Sequence, residues 1–183
     1  MKSTVVSKLF RIEQEKMKTE SPTNEPFIEQ LIRVCQDRGH RAELRRYWSD
    51  ATRHYAFPVL GRLGALGEHK LPDALTAALY AENPNHQLGG NSLGRAALRL
   101  GAGDAFESME RHFRRLLAAN GNELEELGDG LHRLFIRFGR EGIAIDYNRL
   151  LWDLRKWSKY ADDVKTRWAC DFWQAPADTV TAQ

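Results

Sequence analysis

The sequence predicts an all-α protein, and three observations carry the prediction. Apolar residues recur at spacings of three and four through most of the chain, the spacing that gathers them on one side of a helix. Residues that cap helices stand just ahead of several of these stripes, with Gly or Pro just past them. No stretch alternates apolar and polar residues over the length of a strand, and no unit repeats at a fixed period. The expected architecture is a compact helical bundle of one or two lobes.

Residues Met1 to Asn24 mix Lys, Glu, Ser and Thr around a thin stripe of Val5, Leu9 and Ile12, and end in Ser21-Pro22-Thr23-Asn24. That composition suits a loosely attached extension. Phe27, Leu31 and Val34 begin the helical part, closed by Gly39, and Leu44, Tyr47 and Trp48 start the next stripe. From Tyr55 to Leu66 the pattern is interrupted by Pro58, Gly61 and Gly64, with Gly67 just beyond. Pro72 opens a helix through Leu75 and Leu79 to Glu82. Pro84 and Gly89-Gly90 then make residues 83–91 a loop.

The second half is more regular. Ser92 caps a short helix to Leu100, ended by Gly101 and Gly103. Asp104, with Glu107 three residues on, has the form of a capping box for a stripe of Phe106, Met109, Phe113, Leu116 and Leu117, closed by Asn120-Gly121. Asn122 starts the next helix, where Glu123, Glu125 and Glu126 complement the positive end of the dipole. Its stripe of Leu124, Leu127, Leu131, Leu134 and Phe138 is that of a helix lying along a bundle neighbour. Asp146 caps a helix bearing Tyr147, Leu150, Leu151, Leu154 and Trp157, and a last helix from about Ala161 to Trp173 carries Val164, Trp168 and Phe172. The chain thus divides into an extension over 1–25, a helical domain over 26–175 and a tail over 176–183.

A chain of 183 residues supports one well-buried core, and 42% hydrophobic with 28% charged residues is the balance of a globular protein. No apolar run is long enough to cross a bilayer, and the N-terminus lacks the pattern of a secretory signal, so the expected compartment is the cytoplasm. Cys35 and Cys170 lie far apart without metal-ligand spacing and read as reduced thiols.

The motifs of catalysis and cofactor binding fail. His40, His54, His69, His86, His112 and His132 are scattered, and no zinc signature is present. Gly89-Gly90-Asn91-Ser92-Leu93-Gly94-Arg95 has the outline of a phosphate loop but lacks its Lys and a preceding strand. Glu123, Glu125, Glu126 and Asp129 fit a solvated helix start better than paired catalytic carboxylates. The expectation is no enzyme, no metal and no cofactor.

Arginine is the unusual component. Of 27 basic residues, 19 are Arg, although the net charge is only +2. A GC-rich coding bias would give the same ratio, so composition decides nothing. Placement says more. Arg38, Arg41 and Arg45 share a helix face with Arg46 beside them, as do Arg111, Arg114 and Arg115, and then Arg133, Arg137 and Arg140. Arg149, Arg155, Lys156 and Lys159 cluster around Trp152 and Trp157. Like charges at these spacings weaken an isolated helix by a few tenths of a kcal/mol per pair, so a phosphate backbone is their natural beneficiary. Whether the rows meet on one surface is not legible in the sequence.

At these residues the chain resembles a known family. Ser92-Leu93-Gly94-Arg95-Ala96-Ala97-Leu98, Phe113-Arg114-Arg115-Leu116-Leu117-Ala118, Leu131-His132-Arg133-Leu134 and Arg167-Trp168-Ala169-Cys170-Asp171-Phe172-Trp173 resemble the CasB family in order and spacing, as does Leu44-Arg45-Arg46. That family is the small subunit of Cascade, the type I-E CRISPR surveillance complex. The resemblance spans roughly residues 27 to 173. It implies a non-catalytic helical subunit that holds guide RNA, target DNA and the displaced strand by their backbones, since sequence is read by guide pairing. The implied partners are guide RNA and target DNA, the backbone and large subunits of Cascade, and a second copy of the chain, with no membrane.

Carried over motif by motif, Arg46, Arg114 or Arg115, and Arg133 match strand-binding positions. Arg95 matches a motif position that could equally be structural, and Lys156 and Lys159 match a basic region. Together with the helical rows, the candidate nucleic-acid-binding set is Arg45, Arg46, Arg95, Arg111, Arg114, Arg115, Arg133, Arg137, Lys156 and Lys159. The first 25 residues have no counterpart in the family, and no residue between Thr52 and Gln87 is given a role. Two rivals stand beside this reading. One is a free-standing helical DNA-binding regulator, for which the helix after Ser92 is too short and alanine-rich to read bases. The other is a helical enzyme or ligand carrier using the five Trp as a pocket, against which helical spacing places Trp48, Trp157 and Trp168 in the core.

Overall fold

The computed structural model describes residues 25–119 and 124–173, and every regular element in them is helical. In chain order these are α1 (Glu25–Val34), α2 (Arg38–Arg45), α3 (Phe57–Arg62), α4 (Leu71–Glu82), α5 (Leu93–Leu100), α6 (Phe106–Leu117), α7 (Leu124–Arg140) and α8 (Tyr147–Trp173). Short 3-10 turns over Arg46–Trp48, Arg53–Ala56 and Gly103–Ala105 join some of them. The buried side chains form one connected core, from Ile28 on α1 to Phe172 at the end of α8.

The centre of that core is α4. Every residue from Asp73 to Ala81 is buried, and α2, α7 and α8 pack around it. Ala74, Ala77, Ala78 and Ala81 make this possible, because small side chains let neighbours approach from several directions at once. The amphipathic helices lie outside it. On α7 the inward face is Leu127, Leu131, Leu134, Phe135 and Phe138, the expected stripe with Phe135 added and Leu124 only partly buried.

Side-chain caps mark three helix starts. Asp37 accepts from the backbone N–H groups of Gly39 and His40, and these bonds hold its carboxyl below the usual carboxylate range. Ser92 accepts from Arg95 N at 3.3 Å. Asp146 accepts from the N–H groups of Asn148 and Arg149 with one oxygen and from Gly89 N with the other. α8 contains one break, at Tyr160 (φ −133°, ψ 34°), which separates the two helices expected over residues 146–173.

Two local expectations are corrected. Gly39 does not close the first stripe but sits in the first turn of α2. Asp104 does not cap α6. Gly103, at φ +70°, feeds a 3-10 turn that takes up Asp104, and α6 begins at Phe106 without a side-chain cap. The expected stop at Asn120-Gly121, the start at Asn122 and Glu123, the extension up to Asn24 and the tail over 176–183 lie outside the described residues.

The loop over 83–91 is pinned rather than free. Gln87 N donates to Ile145 O at 3.1 Å, Ile145 N to Asn85 O at 2.9 Å and Asp146 N to Asn91 O at 3.0 Å. Tyr147 Oη donates to Asn83 O from a fully buried position. These bonds fix the segment after α7 against the start of α5, which shapes one side of the basic surface described next.

Candidate nucleic-acid interface

α6 and α7 pack with their apolar faces inward, which turns their arginine rows out. On α6 the buried residues are Met109, Phe113 and Leu116, so Arg111, His112, Arg114 and Arg115 are exposed. On α7 the buried stripe leaves Arg133 and Arg140 exposed and Arg137 half-buried. Gly130 lets the helices come close, since a Cβ there would meet Leu116 Cδ1 at 2.7 Å. Between them runs a groove of about 490 Å³ lined by His112 and Arg115 from α6 and by Glu126 and Arg133 from α7. Its floor is apolar, from Met109, Phe113, Leu127 and Leu134.

The electrostatics link the two helices. Partial burial lowers the pKa of His112, and the charges of Arg115, Arg137 and Arg133 lower it further. A second groove, of about 850 Å³, is lined by Arg137 and Arg140 of α7 and Arg99 of α5, with Gln87 and Ile143. The α7 row from Arg133 to Arg140 thus runs from one groove to the other over about 10 Å of helix. Among the described residues, Arg99, Arg115, Arg133, Arg137 and Arg140 form no ion pair and no side-chain hydrogen bond. Five guanidinium groups on this surface are thus without a partner among the described residues.

The other candidates divide by what they touch. Arg45 donates to Ala81 O at 2.9 Å and lies 3.7 Å from Glu82, tying α2 to the end of α4. Arg114 binds Glu110 at 2.8 Å and lies over the Trp173 ring, on the side of α6 that meets α8. Arg46 lies 4.6 Å over the exposed Tyr55 ring. Lys156 lies over Trp152 and Tyr160, and Lys159 is exposed beside them. Arg149 pairs with Asp171, and Arg155 with the buried Asp73, so both hold α8 in place. Arg111 is exposed four residues before Arg115, which puts them on one face of α6.

Of the candidate set the structure brings Arg115, Arg133 and Arg137 together. Arg95 stands four residues before Arg99 on the exposed side of α5, next to the second groove by helix geometry. Sequence reasoning passes over Arg99 and leaves Arg140 and His112 out of the set. The spacing of Arg95 and Arg99 is a usable signal for the first. Nothing local marks His112.

Comparison with known proteins fits this architecture. The model of the family described as CRISPR-associated protein Cse2 matches residues 40–173, from the first turn of α2 to the end of α8. The chain belongs to this family of CRISPR-associated proteins. Among solved structures it is similar to a Cse2-family CRISPR-associated protein from Thermus thermophilus, at 28% identity and a TM-score of 0.67, covering 84% of this chain and 99% of that one. A structure of CasB from the same organism is similar at 27% identity and a TM-score of 0.65, with the same coverage. CasB from Thermobifida fusca, at 21% identity and a TM-score of 0.62 over 80% of this chain and 96% of that one, shares the fold. No curated protein matches the sequence.

Proposed function

We propose that the chain is the small, non-catalytic subunit of the type I-E CRISPR surveillance complex Cascade, and that the α6–α7 face holds nucleic-acid backbone without reading its sequence. The observation that supports this is the surface of Arg99, Arg115, Arg133, Arg137 and Arg140, which have no ion pair or side-chain hydrogen bond among the described residues and are spread along two grooves. A row of like charges without ion-pair partners of its own is unfavourable in isolation and favourable beside a polyanion. The exposed side chains of the two grooves include no Asn, and the Gln and Arg present sit along a surface rather than at the tip of a helix entering a groove. Partners under this reading are guide RNA, target DNA, the backbone and large subunits, and a second copy of the chain. Guide pairing gains about what the opened DNA duplex loses, so modest backbone contacts tip the exchange toward the open state.

Two measurements test the reading. Single-strand affinity should fall with salt at a log–log slope of about −0.7 per phosphate engaged, and Arg115→Ala, Arg133→Ala and Arg137→Ala combined should make that slope shallower by about 2. In reconstituted complexes, omission of the chain or use of the triple variant should shorten the lifetime of opened, matched DNA while guide binding stays intact. Equal lifetimes in the wild-type, triple-variant and subunit-free complexes would refute the role.

A further inference from the structure

A histidine stands inside the arginine groove. His112 is exposed on α6, three residues before Arg115, and lines the groove with Arg115 and Arg133. The charged groups facing it are Arg115 from its own helix and Arg133 and Arg137 from α7, with Glu126 of α7 lining the same groove. Among the described residues neither of its ring nitrogens has a hydrogen-bond partner. Other histidines are used inside the fold. His40 contacts Val34 O and Arg62, His86 contacts Ile145 O, and His132 contacts Glu82.

The three guanidinium groups, together with partial burial, shift His112 toward its neutral form, because adding a fourth positive charge is unfavourable there. A phosphate seated between Arg115 and Arg133 reverses the balance. It offsets the arginine charges and offers oxygens to a ring N–H, and both effects favour the imidazolium. Resting on the backbone-binding reading above, we propose that His112 is a phosphate ligand of this groove, donating from its protonated ring alongside Arg115 and Arg133, so that strand binding takes up one proton. The proton comes from solvent and returns to it when the strand leaves. Grip on the strand therefore strengthens as pH falls, unlike an arginine contact, whose charge is constant across that range.

The test uses the full chain and a fluorescent oligothymidine, whose bases do not titrate in the range used. Affinity is measured at constant ionic strength from about pH 8 to about pH 5.5, through the titration range of histidine. If binding raises the ring's proton affinity by about one pK unit, the wild type should bind about tenfold tighter at the acid end. His112→Gln should bind with little pH dependence at the wild type's alkaline level, and His112→Lys with little pH dependence near its acid level. The ring proton of His112, followed by NMR, should titrate at higher pH with the oligonucleotide than without it. Wild-type binding that is salt-dependent but flat with pH overturns the role of His112 and leaves the backbone reading standing. A His112→Gln protein that keeps the wild type's pH dependence overturns it too, since the proton then goes elsewhere. Absence of salt-dependent binding at every pH removes the backbone reading itself.

Discussion

Gly94 offers a prediction whose sign separates two accounts of the same residue. It lies in the first turn of α5, which packs closely on the second half of α8. A Cβ at this position would stand 2.2 Å from Trp168 O, 2.8 Å from Asp171 Cβ and 3.1 Å from Phe172 N. Two of these neighbours are backbone, so they cannot swing aside. Cβ atoms essentially never approach a neighbour within 3.0 Å, so α5 must retreat by at least 0.8 Å, the difference between 3.0 and 2.2. A gap of that size forfeits a quarter to a half of the dispersion attraction across the contact, and overpacking of this kind costs about 1–3 kcal/mol. Helix propensity acts the other way, since Ala is favoured over Gly by about 1 kcal/mol or less. Gly94→Ala should therefore destabilise by about 1 kcal/mol net, which lowers Tm by about 2–4 °C in a chain of this size. The comparison is Gly61→Ala in the last turn of α3, where the nearest atom to a new Cβ is Leu66 Cδ1 at 3.6 Å. That variant should gain about 0.4–1 kcal/mol. Thermal unfolding followed by circular dichroism gives both values. A Gly94→Ala protein as stable as the wild type, or more so, would refute the argument from close approach.

Leu131→Ala removes a fully buried side chain from the middle of α7 and should cost about 2–5 kcal/mol in urea unfolding, with a surface residue's null effect as the contrary result. Asp153 is 2% exposed and accepts from Arg167 at 2.5 Å and from the Trp168 indole at 2.7 Å, yet burial keeps its pKa above the ordinary 3.8. The unfolded chain then ionises this carboxyl more readily than the folded one, so its contribution is fully present below pH 3.8 and is lost as pH rises through the folded value. Asp153→Asn should accordingly compare more favourably with the wild type at neutral pH than at acid pH. The opposite trend in paired denaturation curves would contradict it.

What the sequence makes legible follows from which helices have two faces. α7 carries polar residues outside and apolar ones inside, and its stripe is readable residue by residue. α4 is buried on every side, so it has no polar face to set a period, and only Leu75 and Leu79 stand out in it. The Asp104 box fails because its spacing is compatible with a 3-10 turn that delays the helix by one residue. For the arginines, spacing shows the rows but not their partners. Glu110, four residues before Arg114, is within reach of a sequence argument. Glu82, which lies 37 residues beyond Arg45, is not. Convergence of Arg115 with Arg133 and Arg137 depends on the packing of two helices and has no local signature.

The burial of α4 also has a consequence for biosynthesis. Its coverings arrive from both directions along the chain, with α2 already made when α4 is synthesised and α7 and α8 still to come. Between Glu82 and Tyr147 the ribosome adds 65 residues, which takes about 3–13 s at about 5–20 residues per second. Throughout that interval an alanine- and leucine-rich segment with no solvated side of its own waits without α8, and for most of it without α7. A chaperone that captures nascent apolar segments should therefore crosslink near residues 74–81, and release them once α8 has emerged.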